Sequence, residues 1–199
     1  SDQLNWIKLA QLLAPENSSW NNEQLLGLLG WLHESFVLLC PIVIDTIGTE
    51  NHEAIEISII LDIIGELCQY HIFKQGLISY KFIKPLIKLF GTIQLHTKPA
   101  NMLKPATNEG FSYPHVKSTI IEIISYLSHE TPEIQDEVRE LHGLNLVLSN
   151  CVIDDNNPFI KERAITCLKF LLANNPKNQQ VVRELEESKA QEKIETLGP

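Results

Sequence analysis

The stretch NPFIKERAITCLKFLLANNPKNQQVVREL, Asn157 to Leu185, has a near twin 44 residues upstream: YPHVKSTIIEIISYLSHETPEIQDEVREL, Tyr113 to Leu141. The two align without a gap and agree at ten of 29 positions, including both prolines and the closing Val-Arg-Glu-Leu. A period of this length marks a stacked repeat array, in which each unit buries its apolar face against its neighbours. Within the second copy, Asn157-Pro158 reads as a helix start, because Asn caps free N–H groups and Pro suits the first helical position. Ile160, Ala164, Cys167, Leu168 and Leu171 then recur at steps of three and four, giving one apolar helical face. Asn174-Asn175 ends that helix, and Asn175-Pro176 starts the next.

Thr131-Pro132 does the same in the first copy. It opens a short helix over 132–141, with Glu133, Asp136 and Glu137 near its positive end and Arg139 near its negative end. Gly143 is expected to be a left-handed C-terminal cap. Leu144, Leu146, Val147 and Leu148 read as a further short helix, and VIDDNN as the connection to the long one. The unit is thus short, medium and long helix, the grammar of an armadillo or HEAT repeat. An earlier copy appears in SIILDIIGELC, Ser58 to Cys68, which matches STIIEIISYLS, Ser118 to Ser128, at an offset of 60.

The extra length is placed in Gly91 to Ser112, GTIQLHTKPANMLKPATNEGFS, read as an inserted loop. Leu25 to Leu39 and Leu4 to Leu13 are helical by the same periodicity. The expected fold is all-α: one armadillo/HEAT-like α-solenoid, a right-handed superhelix over 1–199 of about four irregular units. Its parts are N-terminal repeats over 1–90, the loop 91–112, regular repeats over 113–187 and a polar C-terminal cap over 188–199. Glu187 stands where the glycine of Gly143 would recur, which is where the pattern stops.

The net charge of -9 disfavours nucleic acid as a partner. It is unevenly spread: residues 1–66 carry one Lys and ten acids, 67–108 carry six Lys and no acid, and 109–199 carry nine bases and fifteen acids. The longest apolar run, Phe36 to Ile44, has nine residues and includes Pro41, short of the ~20 that span a bilayer. No transmembrane segment and no signal peptide are expected, and the first residue, Ser rather than Met, suggests a C-terminal fragment. Cys40, Cys68, Cys151 and Cys167 are widely spaced in apolar surroundings and read as free thiols. Asn17-Ser18-Ser19 matches a glycosylation sequon and is read as a chance match.

Gln135 to Glu186 resembles the C-terminal ataxin-10 domain. The telling pieces are DEVREL, the following Gly143-Leu144, CVIDDNNPFIKERAI and the NPKNQ turn. With KSTIIEIISYL the likeness runs from about Tyr113 to Glu187 and is greatest to fungal members. Upstream of about residue 110 only generic helical repeats are recognisable. The resemblance implies an armadillo-like fold, a cytoplasmic protein without catalysis and a role in cytokinesis. It supplies no catalytic residues.

No nucleophile, base and oxyanion site come together in any motif, so no enzyme and no catalytic residue is expected. His52-Glu53-Ala54-Ile55-Glu56 falls short of a zinc-protease helix because Glu56 replaces the second histidine. Fungal relatives have carried a copper-transport name, and an accessory role in copper homeostasis or membrane transport is the alternative function. Copper(I) wants clustered Cys and Met. The chain has one Met, Met102, and Cys68 with His71 makes only half a site, so no metal and no cofactor are expected.

Two surfaces remain. By repeat register the long helices present the pairs Asp62 and Glu66, Glu122 and Tyr126, Thr166 and Phe170. Importin-like arrays carry Trp and Asn at such positions, so nuclear-localisation cargo is disfavoured. The acidic and aromatic strip is expected to line a concave groove for a basic or amphipathic protein segment. The plainer reading is solvated carboxylates and packed rings. The second surface is Lys81, Lys84 and Lys88, spaced as on one helical face with Lys74 upstream. It would suit an acidic protein, an anionic lipid surface or the acidic third of a second copy, or be simply the wet side of a helix. Other proteins of unknown identity are the expected partners.

Overall fold

The computed structural model describes residues 20–48, 52–97 and 115–197. The expected helix over 4–13, the sequon and most of the 91–112 loop lie outside them. The described residues are helical throughout their ordered elements, in the sequence α1 (Asn22–Asp45), α2 (His52–Leu67), α3 (His71–Ser79), α4 (Ile83–His96), α5 (Val116–Ser128), α6 (Pro132–Glu140), α7 (Gly143–Ser149), α8 (Ile160–Leu172) and α9 (Pro176–Leu197).

The neighbours repeat with the sequence. Helix α1 packs on α2, α3 and α4; α4 packs on α5, α6 and α7; α7 packs on α8 and α9. The long helices α2, α5 and α8 form a second stack, and α6 with α9 a third. This three-layer order is that of an α-solenoid, as the repeat implies. Helix α5 lies in the middle of it and is buried nearly all round, from Val116 to Ser128.

Local chemistry sets the helix ends. Asn21 accepts from the Gln24 N–H at 2.9 Å while its own N–H donates to Gln24 Oε1 at 3.0 Å, a reciprocal cap on α1. Asn175 caps α9 as its sequence suggests, accepting from the Asn178 N–H at 3.1 Å. Thr131 stands at the start of α6 but makes no side-chain cap there. Asn157-Pro158 does not start α8: the helix begins at Ile160, and the buried Asn157 side chain accepts from Ser118 Oγ on α5 at 3.0 Å. The asparagine pins the connecting turn to its neighbour instead.

The glycine reading also changes. The left-handed residue after α6 is His142, at φ 60°, and Gly143 is the first residue of α7. A Cβ on Gly143 would stand 2.7 Å from Val138 Cγ1 and 2.9 Å from Ile87 Cδ1. Glycine is needed there for close approach of α6, α7 and α4. Lys81, Glu130 and Asn174 also have φ near +55°. Glu130 and Asn174 are repeat equivalents, so the turn after the long helix recurs in backbone geometry although its residue type does not.

Three boundaries depart from expectation. Gly91 to His96 are helical, not loop, because Ile93 is buried and Gln94 Oε1 accepts at 3.0 Å from Nδ2 of Asn150, the residue after α7. Helix α1 continues beyond Leu39 through Pro41 to Asp45; Pro41 is exposed, so water can reach the carbonyl left without a donor. Residues 188–197 continue α9 as one 22-residue helix, since Glu187 lets the helix run on where Gly143 begins a new one.

At 24 residues α1 is long and apolar enough, by length and composition, to cross a membrane, which the nine-residue run did not suggest. Its Leu25, Leu29, Leu32, Phe36, Leu39 and Val43 stripe is buried, and Phe36 meets Phe82 at 4.6 Å between ring centres. No disulfide joins the four cysteines; three are buried and Cys151 is half-buried.

Candidate interaction groove

Helices α2, α5 and α8 run parallel, as their contacts show. Thr119 at the start of α5 donates its hydroxyl to Asp62 Oδ1 at 3.1 Å, and the Cα of Gly65 faces Ile123 further along. One step down the stack, Arg163 meets Glu122 at 2.9 Å and Phe170 meets His129 edge-on at 4.6 Å. Each of these side-chain contacts joins a residue to one three positions past its repeat equivalent on the preceding long helix, so the stacked helices are offset by about one turn.

Two adjoining depressions open on this layer. The smaller, about 280 Å³, is lined by Asp62, Gly65, Glu66, Thr119, Glu122 and Arg163. The larger, about 600 Å³, shares Glu122 and Arg163 and adds Tyr126, Thr166, Phe170 and Lys74 among others. Each of the six residues placed on the strip by repeat register borders one or both of these depressions, which meet at Glu122 and Arg163. A residue's period in the sequence is enough to put it on the face; it does not say which opposite charges arrive from elsewhere.

Arg163 is such a charge. It comes from α8, one turn before Thr166, and pairs with Glu122. Lys74 is another. The sequence grouped it with the lysine stripe, but it is half-buried in the groove, and its Nζ donates to the His129 carbonyl at 2.7 Å. Burial lowers the Lys74 pKa, while Cys68 and Glu130 oppose that shift. The strip is therefore not uniformly acidic.

Burial raises the Asp62 carboxyl above its ordinary range, and the Thr119 hydrogen bond partly offsets this. Burial also raises Tyr126, with Glu122 adding to it. Cys68 and His71 both line the groove, yet the Cys68 thiol is pushed up strongly by burial, which opposes thiolate ligation. Among the described residues no three His, Cys, Asp or Glu side chains converge as a metal cage.

Behind the groove a buried polar network ties α6 to α8 and α9. Gln135 Nε2 donates to the Phe170 carbonyl at 2.9 Å, and Asn178 Nδ2 to the Leu171 carbonyl at 2.8 Å and the Gln135 carbonyl at 3.1 Å. Arg139 donates to Asn178 Oδ1 at 2.8 Å and also pairs with Asp136. These side chains satisfy carbonyls at the end of α8 that a helix terminus leaves open. The NPKNQ string is legible as a turn, but its second asparagine acts as a lock between units.

The lysine stripe is divided. Lys81 sits in the turn before α4, and Lys84 and Lys88 are one turn apart on α4. The latter two border a separate depression of about 640 Å³ with Leu95, Leu141 and Leu146. None of its lining residues belongs to the groove.

Residues 116–198 match the family described as the spinocerebellar ataxia type 10 protein domain. The ataxin-10 homologue of Debaryomyces hansenii is 40% identical over 191 residues, covering 90% of this chain and 39% of that protein. The chain belongs to the ataxin-10 family. Its likeness is to fungal members along nearly its whole length: the Saccharomyces cerevisiae ataxin-10 homologue is 36% identical over 224 residues, again covering 90% of this chain and 39% of the relative. Ataxin-10 of Xenopus tropicalis matches a shorter part, 40% identical over 70 residues, covering 35% of this chain and 14% of that protein. The chain spans about two fifths of the length of the fungal relatives it matches. None of these ataxin-10 names denotes an enzyme. No solved structure matches the chain.

Proposed function

We propose that this ataxin-10 family chain is a noncatalytic interaction scaffold and that the α2–α5–α8 groove receives a segment of a partner protein. The observation that carries this is the convergence of Asp62, Glu66, Glu122, Tyr126, Thr166 and Phe170 on two adjoining depressions. Exposed aromatic and charged side chains on a rigid helical layer suit peptide capture, where rings supply buried area and charges set register. The pathway proposed for the scaffold is control of cytokinesis in the cytoplasm, which is what the family resemblance implies. An accessory role in copper homeostasis is the weaker reading, because the cysteine nearest the groove is buried with its thiol held protonated.

Affinity capture from fungal lysate tests the scaffold. The parent chain is run beside a Glu66→Lys, Tyr126→Ala variant whose folding is checked by circular dichroism. A partner retained by the parent and lost from the variant supports the groove. A partner retained equally by both refutes it and moves attention to Lys84, Lys88 and Leu95.

A further inference from the structure

The groove carries an electrical direction. At one end, beside Thr119 at the start of α5, stands Asp62, with the exposed Glu66 one turn on in the last turn of α2. In the middle Glu122 is matched by Arg163, Glu162 stands nearby, and Tyr126, Thr166 and Phe170 supply the less polar wall. At the far end stand Lys74, His71 and His129. Lys74 uses one of its three ammonium donors on the His129 carbonyl, and the start of α3 beside it has no side-chain cap at Tyr70. Helix N-termini favour negative charge, so both features at this end have the same sign.

We propose that the groove selects a short extended segment carrying charges of opposite sign on either side of an apolar residue. The basic side chain lies at Asp62 and Glu66, the apolar one against Tyr126 and Phe170, and the carboxylate side chain at Lys74. This rests on the scaffold reading above and adds the chemistry and placement of the occupant. Thr119, bonded to Asp62, and His129, bonded to Lys74, are ten residues apart along α5, a rise of about 15 Å. An extended chain covers that in roughly four to five residues at ~3.3 Å each. The charges of the occupant are therefore expected about four residues apart. A purely basic segment, which an acidic strip alone would favour, would set a like charge beside Lys74.

The test uses the 199-residue chain, isotope-labelled for amide NMR, and the peptide Ser-Arg-Ser-Trp-Ser-Glu-Ser, acetylated and amidated so that only side-chain charges differ. A second peptide has Arg in place of Glu. A nitroxide is attached beside the first Arg. The expected result is weaker binding of the doubly basic peptide, by about threefold or more for one exposed charge contact. The nitroxide on the first peptide should broaden Glu66 and Thr119 amides more strongly than the Lys74 amide. Lys74→Gln should remove the preference between the two peptides. If both peptides shift groove amides with equal affinity, or the nitroxide broadens the Lys74 end more strongly than the Glu66 end, the directional proposal falls while peptide docking in the groove stands. If neither shifts groove amides, both the proposal and the scaffold reading of this groove are refuted.

Discussion

Arg163 of α8 reaches Glu122 of α5 at 2.9 Å, joining two consecutive repeats across the floor of the groove. Both side chains remain more than a third exposed, so the pair contributes little to stability; exposed pairs typically give about 0.2–1 kcal/mol. In the proposed docking its larger effect is on recognition. It removes one carboxylate from the acidic strip and leaves Glu66 as the exposed acid nearest Asp62. Arg163→Ala is expected to lower stability by no more than about 1 kcal/mol in urea unfolding. The same change should increase binding of the doubly basic peptide, which a purely structural role would not alter.

Gly143 and His142 exchange the roles their residue types suggest. Gly143→Ala should destabilise by about 1–3 kcal/mol, because the new methyl meets Val138, Ile87 and the Val138 carbonyl at 3.1 Å or less. His142→Gly should be tolerated, shifting stability by less than about 1 kcal/mol, since glycine accepts φ 60° without steric cost. Thermal unfolding of the two variants side by side checks the order.

Asn178 is wholly buried and serves three partners: the Gln135 and Leu171 carbonyls and Arg139. Asn178→Ala leaves the Leu171 carbonyl at the end of α8 without this donor, removes the added bond to the Gln135 carbonyl and strips Arg139 of its acceptor. A loss of at least about 2 kcal/mol is expected, given ~1–3 kcal/mol for a buried polar group left unsatisfied. Hydrogen exchange should show α9 loosening first, because the network is its main polar tie to α6 and α8.

Asp62 links stability to pH through its raised pKa, which burial causes first. A carboxyl that is harder to ionise in the folded state weakens folding once pH rises above its unfolded value of 3.8. Asp62→Asn, whose amide oxygen can still accept from Thr119, should therefore be more stable than the parent at pH 7. The advantage should shrink as pH falls through the folded pKa and vanish below the unfolded one. Denaturant midpoints at pH 7, 5 and 3 follow this. An advantage that grows towards acid would contradict it.

The thiols should differ in reactivity. Burial pushes Cys40 up to about 11 and Cys167 up to about 12, and Cys68 is raised further still. The thiolate is the nucleophile, so these three should resist alkylation in the native state. Cys151, half-buried, should be labelled first, as peptide mass mapping after brief alkylation would show.

The fold was legible where period and chemistry agree. Leu25, Ile60, Ile120, Ile124, Cys167 and Leu171 recur at helical spacing, and all are core residues. The six positions share a helix face by register, and they lie along two adjoining depressions although neighbouring long helices are offset by about one turn. What escaped the sequence depends on contacts between distant segments. Lys74 reads as one more exposed lysine until α3 is set beside His129. Gly91 to His96 look like loop until Gln94 finds Asn150. Gly143 looks like a cap until Ile87 approaches from α4. None of these partners lies within one helical repeat of the residue it fixes.

In the proposed docking, partners bind at the groove of α2, α5 and α8. Site-specific photocrosslinking in cells tests it most directly, with benzoylphenylalanine placed at Tyr126 in one strain and at Leu95 in another. Leu95 is 81% exposed beside Lys88 and serves as the competing surface. The account predicts a discrete crosslinked protein from position 126, lost when Glu66→Lys is added, and none from position 95. A protein trapped from position 95 and not from 126 would contradict it.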